Sequence, residues 1–113
     1  MTTRNRPWRQ EIELIQNYPK HHGFTKLLAN NDSSQEIVIV SNFMEECNKI
    51  SFIVETGDVH IAFDEEATLT TMLIPANEGY FDDSVYIGST IKAMRAAGQS
   101  GVTPRIRGII WGR

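Results

Sequence analysis

Residues 50–63, ISFIVETGDVHIAF, constrain this chain more than any other stretch. Ile50, Phe52 and Val54 recur at every second position before Thr56-Gly57, and Val59, Ile61 and Phe63 do so after it. Strand side chains alternate between faces with a period of two, so each run has an apolar face and a wetter one bearing Ser51, Glu55, Asp58 and His60. Gly57 can adopt the positive φ that a tight turn between antiparallel strands requires. The stretch therefore predicts a β-hairpin with one buried face.

The rest of the chain repeats the pattern in short pieces. Residues 24–28 read as a short strand after a His21-His22-Gly23 loop, and residues 30–34 (NNDSS) as a turn whose side chains satisfy nearby backbone groups. Residues 36–40 (EIVIV) are a β-branched run too short for a typical helix, and residues 42–48 form a polar link carrying Cys47. Further strands are expected over residues 70–74, closed by Pro75, then 84–87, 90–96 and 104–111, with a turn at Asn77-Glu78-Gly79. In the last strand Ile109 and Trp111 share one face, and Ile106 and Ile110 the other. Strands recurring every eight to twelve residues with turn signals between them indicate an all-β antiparallel sandwich, jelly-roll-like. Residues 1–20, polar and basic with Pro7 and Trp8, are expected to form an extended N-terminal arm, and residues 21–113 the β-sandwich domain.

At 113 residues the chain is one domain. No apolar run approaches the roughly 20 residues that cross a bilayer, which argues against a membrane partner. The arginines near the N-terminus lack the apolar segment of a secretory signal, and the single Cys47 leaves no intramolecular disulfide, so synthesis in a cytoplasm is the simplest expectation. The net charge of −3 conceals segregation. Residues 45–83 hold ten acids and one base, whereas residues 84–113 hold five bases (Lys92, Arg95, Arg105, Arg107, Arg113) and no acid. Either acidic and basic strands satisfy each other across a ladder, or an acidic face of one copy meets a basic face of the next. An acidic chain without aromatics interleaved among its bases argues against nucleic acid.

Residues that could carry chemistry do not assemble into a recognisable set. Adjacent His21 and His22 point apart in extended chain, and His60 lacks the second histidine of an H-x-H pair, so no metal is expected. Asp64-Glu65-Glu66 and Asp82-Asp83 are the hard-ligand clusters that calcium favours, without EF-hand spacing. Cys47 sits in a polar link with no nucleophile signature. No phosphate-cradling glycine loop precedes a helix. The expectation is a non-enzymatic protein without catalytic, cofactor-binding or metal-binding residues.

The segments DVHIAFDEEAT, MLIPANEGYFDDSVYIGSTIKAMRAAGQSG and RIRGIIWG resemble small β-sandwich structural proteins of tailed bacteriophages. A VHIAF-like strand before an acidic loop, a Leu-Ile-Pro turn, an SVYIG-like strand and a closing strand ending in tryptophan carry the resemblance, over about half the chain. It implies a virion structural protein, head-decorating or an adaptor at the neck or tail, assembled in the host cytoplasm. The implied partners are further copies of the chain together with major capsid, portal, neck or tail proteins. On that reading the interface residues are Arg4, Arg6, Trp8, Arg9, Arg105, Arg107 and Trp111. A rival reading is a carbohydrate-recognition module, with Trp8, Tyr80, Tyr86 and Trp111 stacking on sugars and Asp82-Asp83 bonding hydroxyls.

Overall fold

The computed structural model describes residues 18–113. Eight strands, β1 (Lys20–Leu27), β2 (Gln35–Ile39), β3 (Cys47–Glu55), β4 (Val59–Phe63), β5 (Met72–Ile74), β6 (Gly79–Asp82), β7 (Thr90–Arg95) and β8 (Arg105–Gly112), form two antiparallel four-stranded sheets. Their orders are β1-β8-β3-β6 and β2-β7-β4-β5, the strand arrangement of a jelly roll. The all-β antiparallel sandwich expected from the alternation is the fold observed. The regions assigned to residues 1–17 of the arm lie outside the described residues.

The pairing within residues 50–63 differs from the expected hairpin. β3 and β4 begin and end close to where the alternation places them, but β3 lies in the first sheet and β4 in the second. Thr56-Gly57 is a corner between layers. The left-handed residue there is Thr56, with φ 71°, not Gly57. Glycine is needed at 57 for space, because a Cβ would come within 2.8 Å of Val102 Cγ1 and 2.9 Å of Pro104 Cγ. Of the seven connections only β4–β5 joins strands paired in one sheet. A period of two specifies which side chains are buried. It is silent about whether the chain turns back beside itself or crosses the core, since both choices bury the same residues.

Other boundaries moved for local reasons. The expected His21-His22-Gly23 loop belongs to β1, held by its full ladder to β8. Gly79, expected in a turn, opens β6, and residues 84–87 contribute only a bridge between Cys47 and Ile87. Val40, expected to end the strand over residues 36–40, instead opens a short 3-10 turn, Val40–Asn42, and the polar link expected over residues 42–48 gives way at Cys47 to β3.

The core lies between the sheets. Ile50, Phe52 and Val54 from β3 and Ile106 and Ile110 from β8 meet Val59 and Ile61 from β4 and Ile91 and Ala93 from β7, all buried. Each fully buried side chain of this size contributes about 1.5–3 kcal/mol relative to exposure. Gly108 stands in register between Phe24 and Phe52, with Tyr80 beyond Phe52. The Phe52 ring meets the Tyr80 ring at 5.4 Å between centroids. A Cβ at 108 would run into the Ser51 carbonyl and the Phe52 backbone, neither of which can yield. Gly108→Ala is therefore expected to cost about 1–3 kcal/mol or more in denaturant unfolding, the range of overpacked core sites. Gly23→Ala, whose Cβ meets nothing closer than 3.8 Å, should stay within about 1 kcal/mol of the parent.

One end of the barrel is closed by a buried charge. Arg95 holds the inward position after Ile91 and Ala93 and is only 5% exposed. Its Nε donates to Asp32 Oδ1 (2.7 Å) and its Nη1 to Asn30 Oδ1 and the Val102 carbonyl (3.1 Å). The guanidinium thus ties the β1–β2 and β7–β8 loops together. The Asp32 carboxylate is itself exposed, so water can take part of its place, and Asp32→Ala is expected to cost about 1.5–3 kcal/mol in thermal or chemical unfolding, the loss of one hydrogen bond to a charged group.

Candidate functional site

The side chains that face one another between the sheets are chiefly aliphatic and aromatic, and among the described residues no three His, Cys, Asp or Glu side chains are placed to hold a metal ion. His60 points out of the barrel, as the alternation requires, yet it is buried under the loop over residues 64–71, with Nδ1 2.9 Å from the Thr71 carbonyl oxygen. The acidic clusters are turn staples. Asp64, at φ 58°, accepts the N–H groups of Gly88 (2.8 Å), Ser89 (2.7 Å) and Thr90 (3.0 Å), and Asp82 accepts from the Tyr80 hydroxyl and the Ser84 N–H. These residues do not fit a metal centre.

Cys47 is fully buried and its Sγ lies 3.3 Å from the Lys49 carbonyl oxygen. Burial pushes its thiol up to about 11 from an ordinary value of 9.0, the reverse of what a nucleophile needs. Tyr80 is also raised, by burial first and then by the Asp82 carboxylate. An unfolded chain loses these protons at lower pH than the folded one. Stability is therefore full below pH 9 and falls as pH climbs toward 11. Iodoacetamide at about pH 8 should label Cys47 no faster than the chain opens, and in denaturant at the full rate of a free thiol. Rapid labelling of the folded protein would contradict this assignment.

What remains is the solvent side of the first sheet. Here the period of two directs Arg105, Arg107, Ile109 and Trp111 of β8 outward, beside Glu55, Ile53, Ser51 and Lys49 of β3 in register. Phe81 of β6 stands opposite Ser51, and Leu27 of β1 opposite Arg105. Phe81 is 59% exposed and Ile53 41%, with Ile109 and Trp111 half-buried beside them. The apolar row runs across the middle of the sheet. At one end the Lys49 ammonium lies 4.7 Å from the centre of the Trp111 ring and 5.4 Å from that of Phe81. At the other, Glu55 Oε1 takes the Arg105 Nε at 3.1 Å and the Arg107 Nε at 3.0 Å, and Oε2 takes Arg107 Nη2 at 3.1 Å.

The structure thus gathers Arg105, Arg107 and Trp111, three of the seven expected interface residues, on one face. Arg4, Arg6, Trp8 and Arg9 lie outside the described residues. Sequence reasoning missed Ile53, Phe81 and Lys49. Ile53 breaks the alternation of residues 50–55 as an apolar side chain on the wet face, and that irregularity was the available signal. Of the expected sugar-stacking set Trp8 lies outside the described residues, and the three that are described point to different surroundings. The Tyr80 ring packs inward on Phe52 and Phe63, Tyr86 is exposed on the segment after β6, and Trp111 lies on the outer face of the first sheet.

Comparison with known proteins yields structures only. No protein-family model matches the chain, and no curated protein does. Among solved structures it is similar to the Clostridium difficile EutQ protein, at 12% identity and a TM-score of 0.43 over 83% of this chain and 58% of that one. FeII HppE matches at 16% identity and a TM-score of 0.43, over 80% of this chain and 44% of that protein. A cupin-2 domain protein from Shewanella frigidimarina matches at 19% identity and 0.39, over 82% and 71%. The chain spans about half the length of the first two. At these scores the likeness assigns no activity to the chain.

These findings overturn the resemblance to phage structural proteins, and with it the virion role, the capsid, portal, neck or tail partners and the virion location. The structures matched are EutQ and cupin proteins, with no phage family among the findings. The physical reason is visible in the residues that carried the resemblance. Ile61, Ile74, Ile87, Ile91, Ala93, Ile106 and Ile110 are core positions, and Pro75 and Gly79 stand at strand ends. Such residues specify a jelly roll whatever the jelly roll is used for.

Proposed function

We propose that this chain is a non-enzymatic, self-associating jelly-roll module whose docking surface is the outer face of the β1-β8-β3-β6 sheet. The observation that carries the reading is the apolar row Ile53, Phe81, Ile109 and Trp111 on the solvent side of a sheet whose other side is already packed. A contiguous apolar patch rimmed by charges is characteristic of a protein-binding surface. A second copy suits this face because its charges, Lys49, Arg105 and Arg107 against Glu55, leave it cationic in a chain of net charge −3. An interior filled chiefly by aliphatic and aromatic side chains, whose buried Arg95 is taken up in tying two loops together, supports a binding role over catalysis.

Light scattering and sedimentation across low-micromolar to submillimolar concentrations test the reading. The parent chain should associate, and Ile53→Lys with Phe81→Ser should shift it to monomer while leaving the melting temperature within a few degrees. A parent chain that stays monomeric throughout would overturn the proposal.

A further inference from the structure

We infer that the cationic face of one copy seats on the outer side of the β2-β7-β4-β5 sheet of the next, in a head-to-tail contact between unlike faces. The inference rests on the self-association proposed above and specifies the surface that receives it.

The receiving surface is the chemical counterpart of the docking face. Over the outer side of the second sheet the loop over residues 64–71 packs Ala67 against Ala62 and Met94. It leaves Leu69 60% exposed, and Leu73 of β5 is 51% exposed on the same side, in register with His60. Leu69, Met94 and Ala97 line a groove of about 250 Å³ whose rim is Asp32 and Arg95. The charges on this side are Glu36, Glu65 and Glu66 against Lys92, an acidic balance, while Asp32 and Arg95 satisfy each other at the barrel's end. Glu66 is held well below the usual carboxylate range by Lys92, and Lys92 is raised by Glu66, so that pair is already satisfied. Glu36 and Glu65 make no ion pair among the described residues.

The docking face has the opposite need. One carboxylate, Glu55, serves two guanidiniums, each with five N–H donors, so Arg105 and Arg107 retain donors directed to solvent. Placing two copies of this face together would oppose cation to cation. Placing it on the second sheet opposes cations to unpaired carboxylates, and gives the protruding Phe81 an apolar groove. The two surfaces lie on opposite sides of the sandwich, so the contact does not close on itself as a two-fold dimer. It propagates into a chain, or into a ring if the rotation between copies closes.

Two blocked variants test this. Ile53→Glu/Phe81→Glu closes the cationic face, and Leu69→Lys/Leu73→Lys closes the acidic one; circular dichroism and melting temperature verify that each folds. The parent should form species beyond dimers that weaken on the order of 10-fold as salt rises toward molar strength. Each variant alone should be monomeric, and an equimolar mixture should give a 1:1 dimer that grows no further. If the variant closed on the second sheet associates like the parent, or if folded variants fail to pair on mixing, the head-to-tail contact is wrong while self-association stands. A parent monomeric at every concentration would instead remove both readings.

Discussion

The packing of Phe24, Gly108, Phe52 and Tyr80 in one register line decides what this molecule can be used for. At Gly108 the Ser51 carbonyl and the Phe52 backbone come too close for any side chain, and the in-register Phe52 and Tyr80 rings pack against each other. Ile50, Ile61, Ile91, Ile106 and Ile110 are buried in the same core. A jelly roll can keep a ligand cavity between its layers or give that volume to its core. Here aromatic and aliphatic core side chains take much of that volume, which supports the proposed use of the outer surface.

The charges show the same division between stability and surface. All five bases of residues 84–113 find acids within the chain: Lys92 with Glu66, Arg95 with Asp32, Arg105 and Arg107 with Glu55, and Arg113 with Glu46. The segregation along the sequence is therefore largely a ladder effect, because antiparallel pairing brings distant segments together. Most of these pairs are exposed and contribute about 0–1 kcal/mol each. Arg95 is the exception, a buried cation whose three partners fix two loops at the barrel's end. The pairing is uneven in stoichiometry: Glu55 is shared, so the face of the first sheet keeps a cationic excess after its ladder is satisfied.

How much of this was legible in the sequence depends on which interaction encodes it. Burial was legible. Ile50, Phe52, Val54, Val59, Ile61, Ile106 and Ile110 are all inside, as their spacing requires. Partnership was not, because the corner at Thr56-Gly57 is a turn of two residues whether it folds into a hairpin or steps across the core. Gly57 is a glycine for want of space beside Val102 and Pro104, residues more than forty positions away, and no local rule contains that contact. β6 escaped notice because Gly79 and Glu78 signal a turn, while its pairing to β3 comes from Phe52 and Ile53. Half of the candidate site was legible, in Ile109 and Trp111 sharing a face against Ile106 and Ile110. Phe81 and Lys49 could be placed beside Trp111 only by the sheet order.

The docking surface proposed above is the outer row of the first sheet and not a strand edge. Of the four edge strands, β5, β6 and β2 span only three, four and five residues, and β1, with eight, is the one long edge. The face presents rigid groups instead. Lys49 is held between two aromatic rings, an arrangement contributing about 0.5–1 kcal/mol at an exposed site, and Glu55 fixes both neighbouring guanidiniums. Side chains already ordered in the free chain lose less entropy on association. The same contacts that tidy the surface of the isolated sandwich therefore prepare it to be covered, and the exposed Phe81 and Ile53 mark where that covering lowers the free energy most.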